Sequence, residues 1–319
     1  MKYLIPASIL LFLLSWGAGS SNCGLAELFL LLRGQPLTEH CRVVFLEMRL
    51  PRLLAAVLAG GMLAGAGAAS QHLFRNDLAS PHVLGVINSA ALGAVCGLLL
   101  GRGLQTPLSI SFGLLSLLLL ILPGRRWNWS AATLILSGIA VNALAAALTS
   151  GALFLAEERL VSLVFWMLGG LWRIGWREVL LLLCVALPCW SLLYFYAREL
   201  DLLLLGDRMA ELSGLRLKAL KPVLLLCIAA LSATVVSCCG VIGFVGLAVP
   251  HIVRIFCGAS FRQLLPASIV SGAFLLLAAD LLARTMFAPL ELPLGILTAL
   301  CGAPFFFWLL IRKGAKNAM

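Results

Sequence analysis

The stretch RLPRLLAAVLAGGMLAGAGAAS, Arg49 to Ser70, decides the reading of this chain. From Leu53 to Ser70 it carries no charge over about the length a helix needs to cross a bilayer. Arg49 and Arg52 stand at its mouth. Gly60, Gly61, Gly65 and Gly67, with Ala59, Ala64, Ala66, Ala68 and Ala69, line it densely, and Gly61 and Gly65 have Gly-x-x-x-Gly spacing. Small residues let helix backbones approach closely, so this segment is expected at the centre of a helix bundle. Lining a substrate path is the other role open to it.

The rest of the chain has the same character. Its 319 residues are 62% hydrophobic and 11% charged, with a mean hydropathy of +1.08, far from a soluble composition. Apolar stretches run over Tyr3–Gly17, Leu53–Ser70, Val83–Leu100, Thr106–Leu122, Ala131–Leu155, Val179–Tyr196, Pro222–Ser237, Val241–Phe256, Leu264–Leu282 and Leu294–Ile311. The expectation is an all-α polytopic membrane protein of about ten transmembrane helices. Residues 1–319 then form a single transmembrane domain with no room for a soluble catalytic one.

An even number of spans puts both termini on one side, and the basic tail Arg312, Lys313, Lys316 makes that side the cytoplasm. On this topology the inner loops hold 14 Lys and Arg with 5 acids, the outer loops 9 with 7. The overall charge of +10 therefore reads as membrane orientation, not as a nucleic-acid footprint. Arg49 and Arg52 fall outside, where a basic pair is a candidate docking site; solvating a helix end is the plainer reading. Residues 1–19 also have the form of a secretory signal, with Lys2, a short apolar core and Gly17, Ala18, Gly19, Ser20. Cleavage would leave nine spans; an uncleaved first helix is expected, because later helices need it for packing.

Most of the ten cysteines lie in apolar spans, where Cys acts as a small hydrophobe. Cys23 and Cys41 fall in the outer loop, where an oxidising compartment can pair them. With no C-x-x-C and no His pair, no metal site is expected.

The outer segment Ser20–Met48 is the first polar interruption. FRNDLASP, Phe74 to Pro81, makes a tight inner connection through Asn76, Asp77, Ser80 and Pro81, with Pro81 placed to open the third helix. Other turns fall at Gly258 and Arg262, and at Pro289 and Pro293. Asp280, costly inside a span, has Arg284 one helical turn later, which suggests a structural ion pair near the outer interface. The inner loop Ala197–Lys221 sets Asp201, Asp207, Arg208, Glu211, Arg216 and Lys218 among leucines, broken by Gly206 and Gly214. It predicts two short amphipathic helices at the membrane surface, resting on lipid or presenting a face to a cytoplasmic partner.

None of the five lysines, Lys2, Lys218, Lys221, Lys313 and Lys316, sits in a Gly-x-x-x-x-Gly-Lys-Ser/Thr loop, so the chain carries no P-loop ATPase. His40, His72, His82 and His251 are scattered and form no catalytic constellation. A transport core, a channel or a scaffold remains, and not an enzyme.

RLPRLLAAVLAGGMLAGAG from Arg49, FRNDLASPHVLGV from Phe74, GVIGFVGLAVPHIVR from Gly240, LLPASIVSGAFLLLAADLLAR from Leu264 and ELPLGILTALCGAPFFFWLL from Glu291 together resemble the FecCD family of iron-siderophore, haem and cobalamin importer permeases. The resemblance runs from about Arg49 to Leu310. Within it, LDLLLLGD at Leu200–Asp207 and LGGLW at Leu168–Trp172 are most similar to iron(III) dicitrate permease subunits. It implies a type II ABC importer permease fold of ten helices in a bacterial inner membrane, surrounded by lipid. It also implies a second permease, identical or paralogous, with the dicitrate-like wording favouring a paralogue. Two cytoplasmic ATPase subunits would carry ATP and Mg, with no cofactor in this chain, and a periplasmic binding protein would deliver a ferric chelate, or haem or cobalamin. No nucleic acid is involved.

By the same resemblance, Arg49, Arg52 and Arg284 receive acidic residues of the binding protein. The family's coupling loop, LGxxxAxxLG, matches at Leu205, Gly206, Ala210 and Gly214, and with Asp207 and Glu211 these are expected to contact the ATPase. Ser213 stands where the family usually has Leu, removing one apolar contact, and Asp77 stands where its RNPLA has Pro. The implied mechanism is alternating access along a path walled by small and apolar side chains. An ion-coupled secondary transporter is disfavoured by the lack of a buried carboxylate network, and a non-transporting scaffold by the outer arginines.

Overall fold

The computed structural model describes residues 4–18, 23–35, 37–127, 129–288 and 290–317, and among these the regular structure is helical, with no strand. Lys2, Tyr3, Gly19, Ser20 and Pro289 fall outside the described residues, as do the side chains of the basic tail. In chain order the helices are α1 (Leu4–Gly17), α2 (Leu25–Leu32), α3 (Glu39–Val43), α4 (Leu50–Phe74), α5 (Val86–Leu100), α6 (Gln105–Arg126), α7 (Ala131–Phe154) and α8 (Leu160–Met167). They continue with α9 (Trp176–Phe195), α10 (Ala197–Leu203), α11 (Asp207–Leu212), α12 (Leu217–Cys239), α13 (Val245–Cys257), α14 (Phe261–Thr285) and α15 (Leu294–Asn317). Among the described residues six helices are long and apolar enough to cross a membrane, and α1, α5, α13 and Leu294–Phe305 of α15 are shorter apolar helices. These ten coincide in order with the ten apolar stretches of the sequence.

Three boundaries differ from the sequence reading, each for a local reason. The outer segment does not stay irregular up to Met48: one continuous helix runs from Glu39 to Phe74. Thr38 starts it, its hydroxyl accepting from the Cys41 N–H at 3.4 Å. Pro51 does not break it, because a π-helical turn, Val44–Arg49, precedes the proline and relaxes the hydrogen-bond ladder that its ring would disrupt. A disulfide joins Cys23 to Cys41 and ties the entry to α2 onto α3.

Pro81 does not open the third helix. Residues 81–85 form successive turns, and α5 starts at Val86, after Gly85 at φ +79°. The eighth apolar stretch likewise becomes helical only at Val245. Gly240 (φ +71°) ends α12, and residues 241–244 run as non-helical chain to Phe244 (φ +63°). Gly240 and Ile242 are buried there, as irregular backbone between apolar helices must be when water cannot satisfy it.

The glycine-rich helix α4 is the most buried of the long helices, with α14, α13, α12 and α9 packed around it. Its closest backbone approaches are at Gly60 against Gly272 of α14 and at Gly67 against Gly246 of α13, where any Cβ would overlap a carbonyl. The Gly61 and Gly65 pair does something else. It seats the indole of Trp190 from α9, whose atoms come within 3.1 Å of where each Cβ would stand.

Candidate functional site

At the end of the bundle that the loop charges assign to the outside, the start of α4 and the ends of α1 and α14 converge. Arg49 is only 6% exposed. Its Nη1 donates to the carbonyls of Trp16 (3.0 Å), Gly17 (3.2 Å) and Cys23 (2.9 Å), and its guanidinium lies over the Phe45 ring. Arg284, also buried, donates from Nη2 to the Ser15 carbonyl (3.1 Å) and hydroxyl (2.6 Å), and from Nη1 to the Ala18 carbonyl (2.9 Å). Two arginines from different helices thus serve the last carbonyls of α1, which a helix leaves unsatisfied and where its dipole favours a cation.

The carboxylate of Asp280 is wholly buried between Arg284 and Arg52. One oxygen lies 3.0 Å from Arg284 Nε, and the other accepts from Arg52 Nε at 2.9 Å. Arg52 then grips Glu291 with both terminal nitrogens, each at 3.0 Å. The Arg52 side chain is 13% exposed and that of Glu291 35%, so this pair forms the accessible lip of the network. All three arginines singled out in the sequence meet here, but none stands as a free cation. Glu291 and the α1 carbonyls were not predicted; Glu291 sits in the ELP that follows α14, and nothing in the sequence marks it as a partner of Arg52.

At the opposite end, the Ala197–Lys221 loop forms α10 and α11, separated by Gly206 (φ +108°) and ended by Gly214 (φ +88°). Of the six residues expected at an ATPase contact, Leu205, Glu211 and Gly214 are exposed, in company with Met209 and Leu212, which the motif does not single out. Ala210 is buried beneath them, and the two glycines shape the turns. Asp207 faces the bundle: Oδ2 accepts from Lys221 Nζ at 2.8 Å, and Oδ1 lies 3.8 Å from Arg75. Ser213 ends α11, its hydroxyl donating to the Met209 carbonyl at 2.9 Å.

Beside it, Arg254 of α13 pairs with Asp77 and reaches Gln71 (3.4 Å) and His72 (3.3 Å) of α4. Asp77 therefore ties α13 to the connection that follows α4.

A family model, the FecCD transport family, matches residues 7–312. The hemin transport system permease protein HmuU of Yersinia pestis is 38% identical, covering 99% of this chain and 97% of its own. The Fe(3+) dicitrate transport system permease protein FecD of Escherichia coli is 40% identical over 86% of each, and the vitamin B12 import system permease protein BtuC of Vibrio cholerae is 40% identical over 84% and 82%. Among solved structures, one described as an inward-facing, metal-chelate type ABC transporter superposes with a TM-score of 0.87 at 31% identity, covering 98% of both chains. With its fold and sequence thus matched over nearly its whole length, this chain belongs to the FecCD transport family and is a multi-pass membrane permease of the ABC importer type.

Proposed function

We propose that this chain is the transmembrane permease subunit of an importer that moves a ferric chelate, iron(III) dicitrate or another ferric siderophore, from periplasm to cytoplasm by alternating access. The observation that carries this reading is the dicitrate-like wording of Leu200–Asp207 and of Leu168–Trp172, beside a 40% identity to an iron(III) dicitrate permease that a vitamin B12 permease equals. ATP is hydrolysed on two separate cytoplasmic subunits. They push on the exposed face made by Leu205, in the turn between α10 and α11, and by Met209, Glu211 and Leu212 of α11. A second permease, of paralogous sequence, covers part of the apolar surface that α7 and α9 leave open. Haem is the second cargo reading, favoured by the relative whose similarity spans 99% of the chain; cobalamin follows from the vitamin B12 relatives.

The binding protein docks on the outer network. Arg49 and Arg284 are committed to α1, so they shape and charge this surface. Arg52 is the cation that a partner carboxylate reaches, by taking the place of the half-exposed Glu291. A ligand shifts a conformational equilibrium only through unequal affinity for its states, so this exchange must be easier in one state than in the other.

The test is ATP-dependent uptake in proteoliposomes holding this chain, its co-purifying subunits and the binding protein. Radioactive iron(III) dicitrate is offered first, then a catecholate siderophore, haem and cobalamin. Arg52→Gln is expected to weaken capture of the binding protein, and Glu291→Gln, which frees Arg52, to strengthen it. Unchanged capture in both variants refutes the docking site. Uptake of none of the four cargoes with ATP refutes the import assignment.

A further inference from the structure

We propose that Asp201 and Lys221 are positioning residues that fasten the two inner-loop helices to the transport bundle, so that a push on α10 and α11 moves α14, α4 and α12 instead of bending the loop. The proposal rests on the permease reading above. Neither residue belongs to the exposed face offered to the ATPase.

Asp201 lies on α10, yet it caps another helix. Its Oδ1 accepts from the Phe261 N–H, the first residue of α14, at 2.6 Å, and its Oδ2 accepts from the Ser260 hydroxyl at 3.2 Å. Ser260 is the N-cap residue of α14 by position, but its own side chain makes no capping bond. A carboxylate from elsewhere in the chain therefore does the work that a local Ser or Asp does in most helices, with the added favour of a negative charge at a helix N-terminus. Phe261 is fully buried and packs edge-on against His72 of α4, ring centres 4.9 Å apart. His72 in turn holds the Ala259 carbonyl at 2.9 Å. The path from α10 runs through one carboxylate to the N-terminus of α14 and on to α4.

Lys221 fastens α11. Its side chain is 2% exposed, and its ammonium donates to Asp207 Oδ2 and to the Trp129 carbonyl, both at 2.8 Å. A lysine so deeply placed is costly unless paired. Here the pairing joins three places at once: the start of α11, the first turns of α12 and the connection between α6 and α7. Gly206, between the two clamps, separates the two helices at φ +108°, so no continuous helix links α10 to α11 and these side chains supply the fastening.

The experiment compares Asp201→Ala, Asp201→Asn and Lys221→Met with the wild-type chain in the complete reconstituted importer, measuring ATP hydrolysis and cargo uptake together. Lys221→Met removes the clamp without leaving a buried charge. Asp201→Asn keeps an amide oxygen that can still accept from Phe261. Asp201→Ala and Lys221→Met are expected to hydrolyse ATP while uptake per ATP falls about fivefold or more, the low end of typical coupling between sites. Asp201→Asn is expected to restore the ratio. An unchanged ratio in both disrupted variants overturns the proposal. Hydrogen exchange of residues 258–265 and 207–221 is read on the same samples, and exchange as slow as wild type in both disrupted variants overturns it independently. Absence of ATP-driven uptake in the wild type counts against the importer reading instead, and the exchange measurement then decides the clamp alone.

Discussion

Replacing Asp280 is the sharpest test of the outer network. In the wild type its buried carboxylate faces two guanidinium groups, at 2.9 Å from Arg52 and 3.0 Å from Arg284. Asp280→Ala leaves Arg284 held only by the Ser15 and Ala18 oxygens, and Arg52 only by the half-exposed Glu291. Removing one partner of a buried ion pair costs roughly 3 to 5 kcal/mol when the remaining charge loses its counter-ion, and Arg284, buried and left to neutral oxygens, is that charge here. At about 2 to 4 °C per kcal/mol, this is a fall of roughly 6 to 20 °C in the midpoint of thermal unfolding. Fluorescence-detected gel filtration of heated, detergent-solubilised samples reads this directly. Asp280→Asn, which retains one acceptor oxygen, should fall between wild type and Asp280→Ala. The double variant Asp280→Ala, Arg284→Met should regain part of the loss, because the unpaired cation leaves with its anion; the coupling energy should be about 1 to 3 kcal/mol. A midpoint for Asp280→Ala within 2 °C of wild type, or a double variant less stable than the sum of the two singles, would refute the reasoning.

Other perturbations have equally definite outcomes. Gly67→Ala forces a methyl group against the Gly246 carbonyl, so α13 must shift, and stability should fall by about 1 to 3 kcal/mol, as overpacked cores do; Ala68→Gly, at a neighbouring buried position without that contact, should show no such displacement of α13 by cysteine cross-linking. Arg49→Met strips three carbonyls of their donor and should loosen α1, seen as faster hydrogen exchange over residues 11–18, while Arg49→Lys, lacking the planar fork, should rescue only partly. The Cys23–Cys41 bridge closes a short outer loop worth about 3 kcal/mol in the chain-entropy treatment. Alkylation of the denatured chain should label eight thiols without reductant and ten with it.

Much of the fold was legible because its causes are local. Runs of apolar residues of bilayer length, broken by Gly, Pro, Asn and charge, gave the ten helices their order, and Gly206 and Gly214 placed the two short inner helices between them. Where the sequence reading went astray, a local rule was overridden by something at one remove. Pro81 suits the opening of a helix, yet Gly85 takes a left-handed backbone, φ +79°, close against Val141 of α7, and the helix starts beyond it. Pro51 lies early in a helix that begins well before it, made possible by a π-turn that no residue type announces. The Gly-x-x-x-Gly pair was read as a backbone contact and is a seat for Trp190, because the sequence marks where side chains are small but not what fills the space.

By itself, the sequence determined that this chain crosses a membrane repeatedly and to which family it belongs. Hydropathy, charge and motif are properties of short segments, and the bilayer constrains each segment almost independently. Only the tertiary structure decided what the polar residues do. Arg52 meets Asp280 across 228 positions, Arg284 meets Ser15 across 269, and Asp201 caps a helix that begins 60 residues away. In an apolar surrounding each buried charge is obliged to find a partner, but the partner is whichever residue the packing of α1, α4, α10 and α14 brings within 3 Å, and no spacing along the chain encodes that meeting.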